Sequence, residues 1–333
     1  ANVCGQNKFS GKVLNGKTSA PVSGASVYFN NTSIGTLTND NGEFFIPNAI
    51  NGEVIISSVG FERIIHKLNV NEINGKSYTF KLIEKETTLQ DVLILPDATR
   101  KRYLKLFTDN FLGLTEEAEK SSISNLSVLN FASAGEKNAF KAFSDTPLTI
   151  INKRLGYTIY FDLVEFYMNE ATGLTSFYGY TRYQEMGDKK RWTKNRKKAY
   201  FGSTLHFYRS LINYKLKEEN FAIYIIKSDS LNQNKNGIQI TSGKMDIAIP
   251  VTASDIVKKD SSSNLYIATW KDRLMVQYYK NPASKLYLSN KMFMAGNLPI
   301  GVRSYLKINA DHVGIDSFGI LDDPLSVFYS GYW

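Results

Sequence analysis

Between Lys8 and Leu82 the apolar residues come in short alternating runs separated by Gly, Asn and Pro, the period-two pattern of half-buried strands at the spacing of a β-sandwich. The runs predict strands at residues 9–13, 25–29, 43–46, 54–59, 63–68 and 77–82. Asn39-Asp40-Asn41-Gly42 supplies a reversal, with a residue suited to positive φ where the chain turns. A connector over residues 84–98 carries a further strand at 89–95 that Pro96 ends. The period then changes: Leu104, Phe107 and Phe111 share a helical face over residues 98–111, flanked by Arg100, Lys101 and Arg102 and closed by Gly113.

Residues 121–143 sustain no period, and their Ser, Asn and Ala content predicts irregular structure with short strands. A strand at 147–152, a turn at Asn152-Lys153-Arg154 and a long strand at 155–168 follow. The long strand sets Tyr157, Ile159, Phe161 and Leu163 on one side and Tyr160, Val164 and Phe166 on the other, so it reads as covered on both faces. Residues 176–186 are its expected hairpin partner. Next comes a basic ramp at 189–198, read as an exposed lead-in to a helix that Ser203 caps. Phe201, Leu205, Tyr208 and Ile212 recur at steps of four, three and four and predict that helix's buried face. Strands return at 221–227, 238–240, 247–250, 265–270, 273–279, 285–288 and 304–308.

Composition sharpens this picture in three places. At 333 residues the chain has room for two or three domains, and its 20 Tyr and 20 Phe fit strands and hairpins. Of the net charge of +9, five comes from the ten residues 188–197, with six cations and one anion, so the basic character is local. No apolar run approaches the length of a membrane-spanning helix, and a single cysteine, Cys4, excludes an internal disulfide. Residues 1–6, ANVCGQ, look like the tail of an export signal cleaved before Gln6; lipidation of Cys4 is the alternative, with Val3 where a lipobox wants a small residue.

Gly11 and Val13, Pro21, Ala25 and Val27, Gly35-Thr36, Thr38, Gly42 and Phe44, and Ser58 with Gly60-Phe61 together resemble the carboxypeptidase regulatory-like domain. That resemblance implies a seven-stranded transthyretin-type β-sandwich, an accessory module of the carbohydrate-binding-like fold class without catalytic residues of its own. The segments at 147–166 and 196–211, with Asn110-Phe111-Leu112-Gly113, resemble the region that follows this domain in a group of exported envelope proteins of Bacteroidetes-type bacteria. This second resemblance implies an address and an architecture but no chemistry. It also implies a short further segment beyond Gly331-Tyr332-Trp333.

Candidate chemistry is sparse. His66, His206 and His312 are dispersed, and no HExxH, GxSxG, P-loop or GxGxxG is present, so no catalytic, cofactor or metal residues are assigned. His66, on a face with Ile64 and Leu68, and His206, inside the aromatic helix, read as structural. Asp162 and Glu165 are spaced to fall on opposite faces of a strand and read as surface carboxylates, not the pair a glycosidase needs. The Asn39–Glu43 loop lacks the acidic residues of a calcium loop and reads as a hairpin turn. Basic and aromatic residues interleave at Arg191-Trp192, Arg196, Tyr200 and Arg209, but an exported chain seldom meets nucleic acid, and no nucleic-acid partner is assigned.

Two surfaces remain. Lys189, Lys190, Arg191, Trp192, Lys194, Arg196 and Lys197 suit docking to an acidic partner, with the cations steering and Trp192 as anchor. Tyr178, Tyr180 and Tyr183 have spacings that suit a sugar-stacking platform. The expectation is a mostly β protein: a signal remnant at 1–6, a regulatory-like β-sandwich at 7–83, a linker and amphipathic helix at 84–110, and a β-rich α+β domain at 111–333. Its expected role is that of a non-enzymatic accessory protein, exported to the cell envelope, docking to an outer-membrane β-barrel or another envelope protein. The alternatives are a glycan-binding module of an uptake system and a hydrolase with an unusual site.

Overall fold

A computed structural model describes residues 7–73, 75–85, 93–113, 116–229, 245–263, 265–279, 293–294, 302–323 and 326–331. The strands expected at 238–240 and 285–288, most of the one at 89–95, and Cys4 lie outside them. The protein is mostly β and divides into two compact units, Ala1–Asn195 and Arg196–Trp333. The stretch read from sequence as one β-rich region, 111–333, is therefore shared between the two.

The first unit opens with β1 (Phe9–Asn15), β2 (Ser26–Phe29), β3 (Gly35–Leu37), β4 (Glu43–Ile46), β5 (Gly52–Ser57), β6 (Ile64–Leu68) and β7 (Ser77–Leu82). These form two sheets, β4-β1-β7 and β3-β2-β5-β6. Alternation explains the sandwich: Phe9, Val13, Val27, Phe29, Phe44, Ile46, Val54, Ile56 and Phe80 point into one core between the sheets. Gly11 lets β1 lie against β7, since a Cβ there would stand 2.0 Å from the Tyr78 carbonyl oxygen. The Asn39–Gly42 reversal forms as read, with Gly42 at φ +71° and the Asn39 side chain accepting from the Asn41 and Glu43 backbone N–H groups. The sequence missed β3, a three-residue edge strand too short to show a period.

After the sandwich come α1 (Asp97–Leu112), α2 (Glu116–Glu119), β8 (Ser121–Ile123), β9 (Asn130–Ser133), β10 (Ala139–Phe143), β11 (Leu148–Asn152), β12 (Tyr157–Asn169) and β13 (Thr175–Glu185). The 13-residue β12 organises this sheet: β13 runs along one side, while β11 pairs with its first half and β10 with its second half on the other. α1 ends at Gly113 (φ +80°) as expected. It lays Phe107 and Phe111 on one sheet face against Phe161, Phe166 and Phe177. The opposite face receives the sandwich module, with Arg63 bonded to Asp162 and Tyr28 close to Asp162 and Tyr180, while Val27 and Phe29 on either side of Tyr28 fill the module's own core. β12 is thus covered on both sides, as its two apolar faces required.

One expectation about β12 fails. Asp162 pairs with Tyr180 and Glu165 with Tyr178, because a β-bulge between Leu163 and Glu165 inserts an extra residue. Since Tyr178 and Tyr180 are two apart on β13, the bulge brings both carboxylates to one face instead of opposite ones. Asp162 is not a surface residue. It is 6% exposed and takes two bonds from Arg63 of the module, 2.8 Å from Nη2 and 3.2 Å from Nε. Glu165 pairs with Lys141 at 2.7 Å.

The division between units falls within α3 (Lys190–Tyr200). The second unit continues with α4 (Thr204–Ile212), β14 (Phe221–Asp229), β15 (Met245–Val251), α5 (Ala253–Ile256), β16 (Val257–Lys259), β17 (Tyr266–Ala268), β18 (Arg273–Tyr278), β19 (Phe293–Met294), β20 (Val302–Ile308), β21 (Val313–Ile315) and β22 (Val327–Gly331). Its sheets run β19-β15-β14-β18-β20-β22 and β16-β17-β21. α4 packs Phe207, Tyr208, Leu211 and Ile212 into a core with Phe221, Leu274, Val276 and Leu306. Ser203 caps it as read, accepting from the His206 N–H at 3.2 Å.

The predicted face of α4 holds at Tyr208 and Ile212, which are buried, but fails at its start. Phe201 is 51% exposed and lies before the helix, because the chain turns at Gly202 (φ +85°). His206 takes the buried place. Its Nδ1 accepts from the Gly202 N–H at 3.0 Å, so its Nε2–H donates to Glu219 at 3.0 Å.

Candidate functional site

The basic ramp exposes its cations as read, but it is itself a helix, α3, and a buried residue holds it in place. Gly156, at φ +70°, ends the turn between β11 and β12, and a Cβ on it would stand 2.1 Å from the Trp192 ring. Only glycine lets that ring lie flat on the turn. Trp192 Nε1 then donates to the Lys153 carbonyl (3.1 Å), and Asn195 Nδ2 donates to that of Arg154 (2.8 Å). The Met186 N–H donates to the Gly156 carbonyl and the Lys153 N–H to the Lys120 carbonyl. Trp192 is 5% exposed, so it is the pin that fixes the helix, not an anchor offered to a partner.

With Trp192 underneath, the cations are left outside. Lys189, Lys190, Arg191 and Lys194 are exposed, and Lys153 joins them from the turn. Lys189 Nζ lies 4.8 Å and Arg191 Cζ 5.7 Å from the Trp192 ring centre, contacts that steady the side chains while their charges face water. Among the described residues no carboxylate comes within salt-bridge distance of these five cations. α3 has no acid in its first turn, where Lys190 and Arg191 oppose the helix dipole at about 0.3–1 kcal/mol each. Helix stability therefore does not explain these cations, whereas Lys197 and Lys198 in the last turn do suit the dipole. Arg196 and Lys197 belong to the Arg196–Trp333 unit. Sequence reasoning missed Lys153, whose one signal was a Lys-Arg pair in a turn closed by Gly156.

The three tyrosines do not form a platform. Tyr178 and Tyr180 share a face of β13, and Tyr183, an odd number of residues away, points to the other, where it meets the Tyr157 ring edge-on at 5.5 Å. Arg63 lies 5.6 Å from the Tyr180 ring centre, and burial pushes the Tyr180 and Tyr183 phenols up. Tyr178 alone is open, at 44% exposure. A cavity of about 280 Å³ opens beside the module and is lined by Glu62, Arg63, Lys85, Phe143, Ser144 and Asp145 among others. Its two cations are already matched, Lys85 with Asp145 at 2.8 Å and Arg63 with Asp162. Among the described residues no group of three or more His, Cys, Asp or Glu is placed to hold a metal ion. His66 packs against the rings of Tyr78 and Phe80, and burial lowers its pKa. No helix among the described residues is long and apolar enough to cross a membrane.

Comparison with known families agrees with the sandwich. Residues 9–94 match the family model of the CarboxypepD_reg-like domain, which covers β1 to β7 and the connector after them. The chain therefore carries a β-sandwich accessory or binding module at its N-terminal end. No curated protein matches the chain.

Proposed function

We propose that the protein is a non-catalytic accessory protein of the cell envelope, exported, which docks to an acidic surface of an outer-membrane protein assembly. The observation that supports this reading is the cationic face of Lys153, Lys189, Lys190, Arg191 and Lys194, held by Trp192 and lacking, among the described residues, acidic neighbours within salt-bridge distance. A fixed row of unmatched cations steers an acidic partner and sets its orientation. The module stiffens the sheet that supports this face: Arg63 grips Asp162, and the Asn30–Thr32 loop bonds to β13. Because Trp192 is covered, affinity rests on charge, and docking weakens as salt rises.

Mild crosslinking in native envelopes, followed by affinity purification, tests the reading. Recovery of a β-barrel protein crosslinked through Lys153, Lys189, Lys190 or Lys194 is the expected result. Recovery of the chain without an envelope partner overturns it.

A further inference from the structure

β13 is an edge strand that the described residues cover only in part. The Met186 N–H points inward to Gly156, which sets the even residues of β13 toward β12 and the odd residues outward. Thr181 and Tyr183, both odd, are taken by the module's loop: the Asn31 N–H donates to the Thr181 carbonyl (2.8 Å), and the Tyr183 N–H donates to the Thr32 carbonyl (2.9 Å). Continuing along the same edge, Thr175, Phe177 and Gly179 present their backbone groups outward, and none has a backbone partner there among the described residues.

This open stretch lacks the charges and prolines that usually protect an edge. Leu174 to Gly179, LTSFYG, contains no charge and no proline, and Leu174, Phe177 and Tyr178 are 56%, 42% and 44% exposed. Phe177 is held at the rim by Phe111, with ring centres 4.9 Å apart, so its exposed side is a fixed apolar surface. Gly179 cannot carry a side chain, since a Cβ would stand 2.5 Å from the Asp162 carbonyl oxygen and 2.6 Å from the Phe161 ring. The edge is bare at that point.

We propose that a second copy of this chain covers the stretch, the two β13 edges pairing antiparallel about a two-fold axis through Phe177. The register supports this occupant. Centred on Phe177, the axis sets Phe177 opposite Phe177 and Thr175 opposite Gly179, so every outward backbone group meets another outward group and each bare Gly179 receives a threonine. The pairing also fits its limits, because the partner strand ends at Thr175 where the Asn30–Thr32 loop takes over the edge. It continues an edge interface that the module already makes. The cationic face lies past the Glu185 end of β13, so the dimer leaves it open and doubles it. A contact of five residues per strand is small, and the association is concentration-dependent.

Sedimentation velocity on the full chain over roughly two decades of concentration tests the proposal. Two variants accompany it. Tyr178→Lys places a charge on the edge opposite Glu165, and Thr175→Pro removes an outward N–H at a strand's first residue, where proline is tolerated. The wild type is expected to move from monomer to dimer, with amide exchange at Phe177 and Gly179 slowing as the dimer forms. Both variants are expected to stay monomeric with melting temperatures close to wild type. A wild type that remains monomeric throughout, a dimer that survives both substitutions, or slowed exchange on a different strand overturns the proposal.

Discussion

Two sets of cations in the first unit show opposite uses of the same chemistry. Arg63 is turned inward, its guanidinium matched by both oxygens of an Asp162 carboxylate that is 6% exposed. Lys190, Arg191 and Lys194 are turned outward on a helix, with no acid among the described residues in salt-bridge distance. Residue type does not distinguish the two sets; what lies beneath each does. The bidentate pair holds the module to the sheet, and a buried tryptophan, not an acid, holds the outward cations. A cation matched inside the fold is structural, while one held rigid and unmatched is available to a partner.

The contrast is broken most severely at Arg63. Arg63→Ala leaves the Asp162 carboxylate buried and unpaired, and a loss of about 3–5 kcal/mol in urea unfolding is expected. Removing both partners, in Arg63→Ala with Asp162→Ala, should recover a large part of it. If the single variant is as stable as the double, the clasp is not a buried ion pair.

Next comes the pin beneath the outward cations. Gly156→Ala drives a methyl group into the Trp192 ring and strains a positive φ, for an expected cost of about 1–3 kcal/mol. Hydrogen exchange should quicken in α3 and in the turn before β12, although no charge has changed. Docking that is untouched while α3 loosens would separate the cations from their support.

A smaller effect sharpens the account of the clasp. Tyr28 lies beside Arg63 and Asp162, and burial first, then the Asp162 charge, push its phenol up from the ordinary 10.0. The folded state thus resists deprotonation. The stabilisation is complete below about pH 10 and is lost as pH rises toward the raised folded value, because the unfolded chain releases the proton first. Urea titrations at rising alkaline pH should show this decline in the wild type. In Tyr28→Phe, which removes the phenol, the decline should be shallower. Equal slopes would place the alkaline loss elsewhere.

How much of this the sequence disclosed follows from the range of each contact. β4 and β7 stand where alternation placed them, α1 is closed by Gly113, and Ser203 caps α4, because each depends on neighbours a few residues away. The family resemblance at the start of the chain rested on equally local turn chemistry. The candidate site was only half legible. Its cations are adjacent in sequence, but the pin joins Trp192 to Lys153, 39 residues away, and the clasp joins Arg63 to Asp162, 99 residues away. No period reports such pairs. Trp192, read as an anchor, is buried because a glycine in another hairpin makes room for its ring. The bulge after Leu163 had no signature in a run of apolar residues, so the faces of Asp162 and Glu165 were misjudged.

The smallest expected loss of stability accompanies the largest expected change in behaviour. Replacing Lys190, Arg191 and Lys194 together by Glu touches only exposed side chains, and because acids at 190 and 191 suit the helix dipole where the cations oppose it, no stability should be lost and about 0.3–1 kcal/mol or more gained at each of those two positions. Retention of that variant in washed native envelopes, measured beside its melting curve, is the most direct test of the docking face. Release into the wash with a melt at or above that of wild type is the predicted result, and retention equal to wild type would contradict the account.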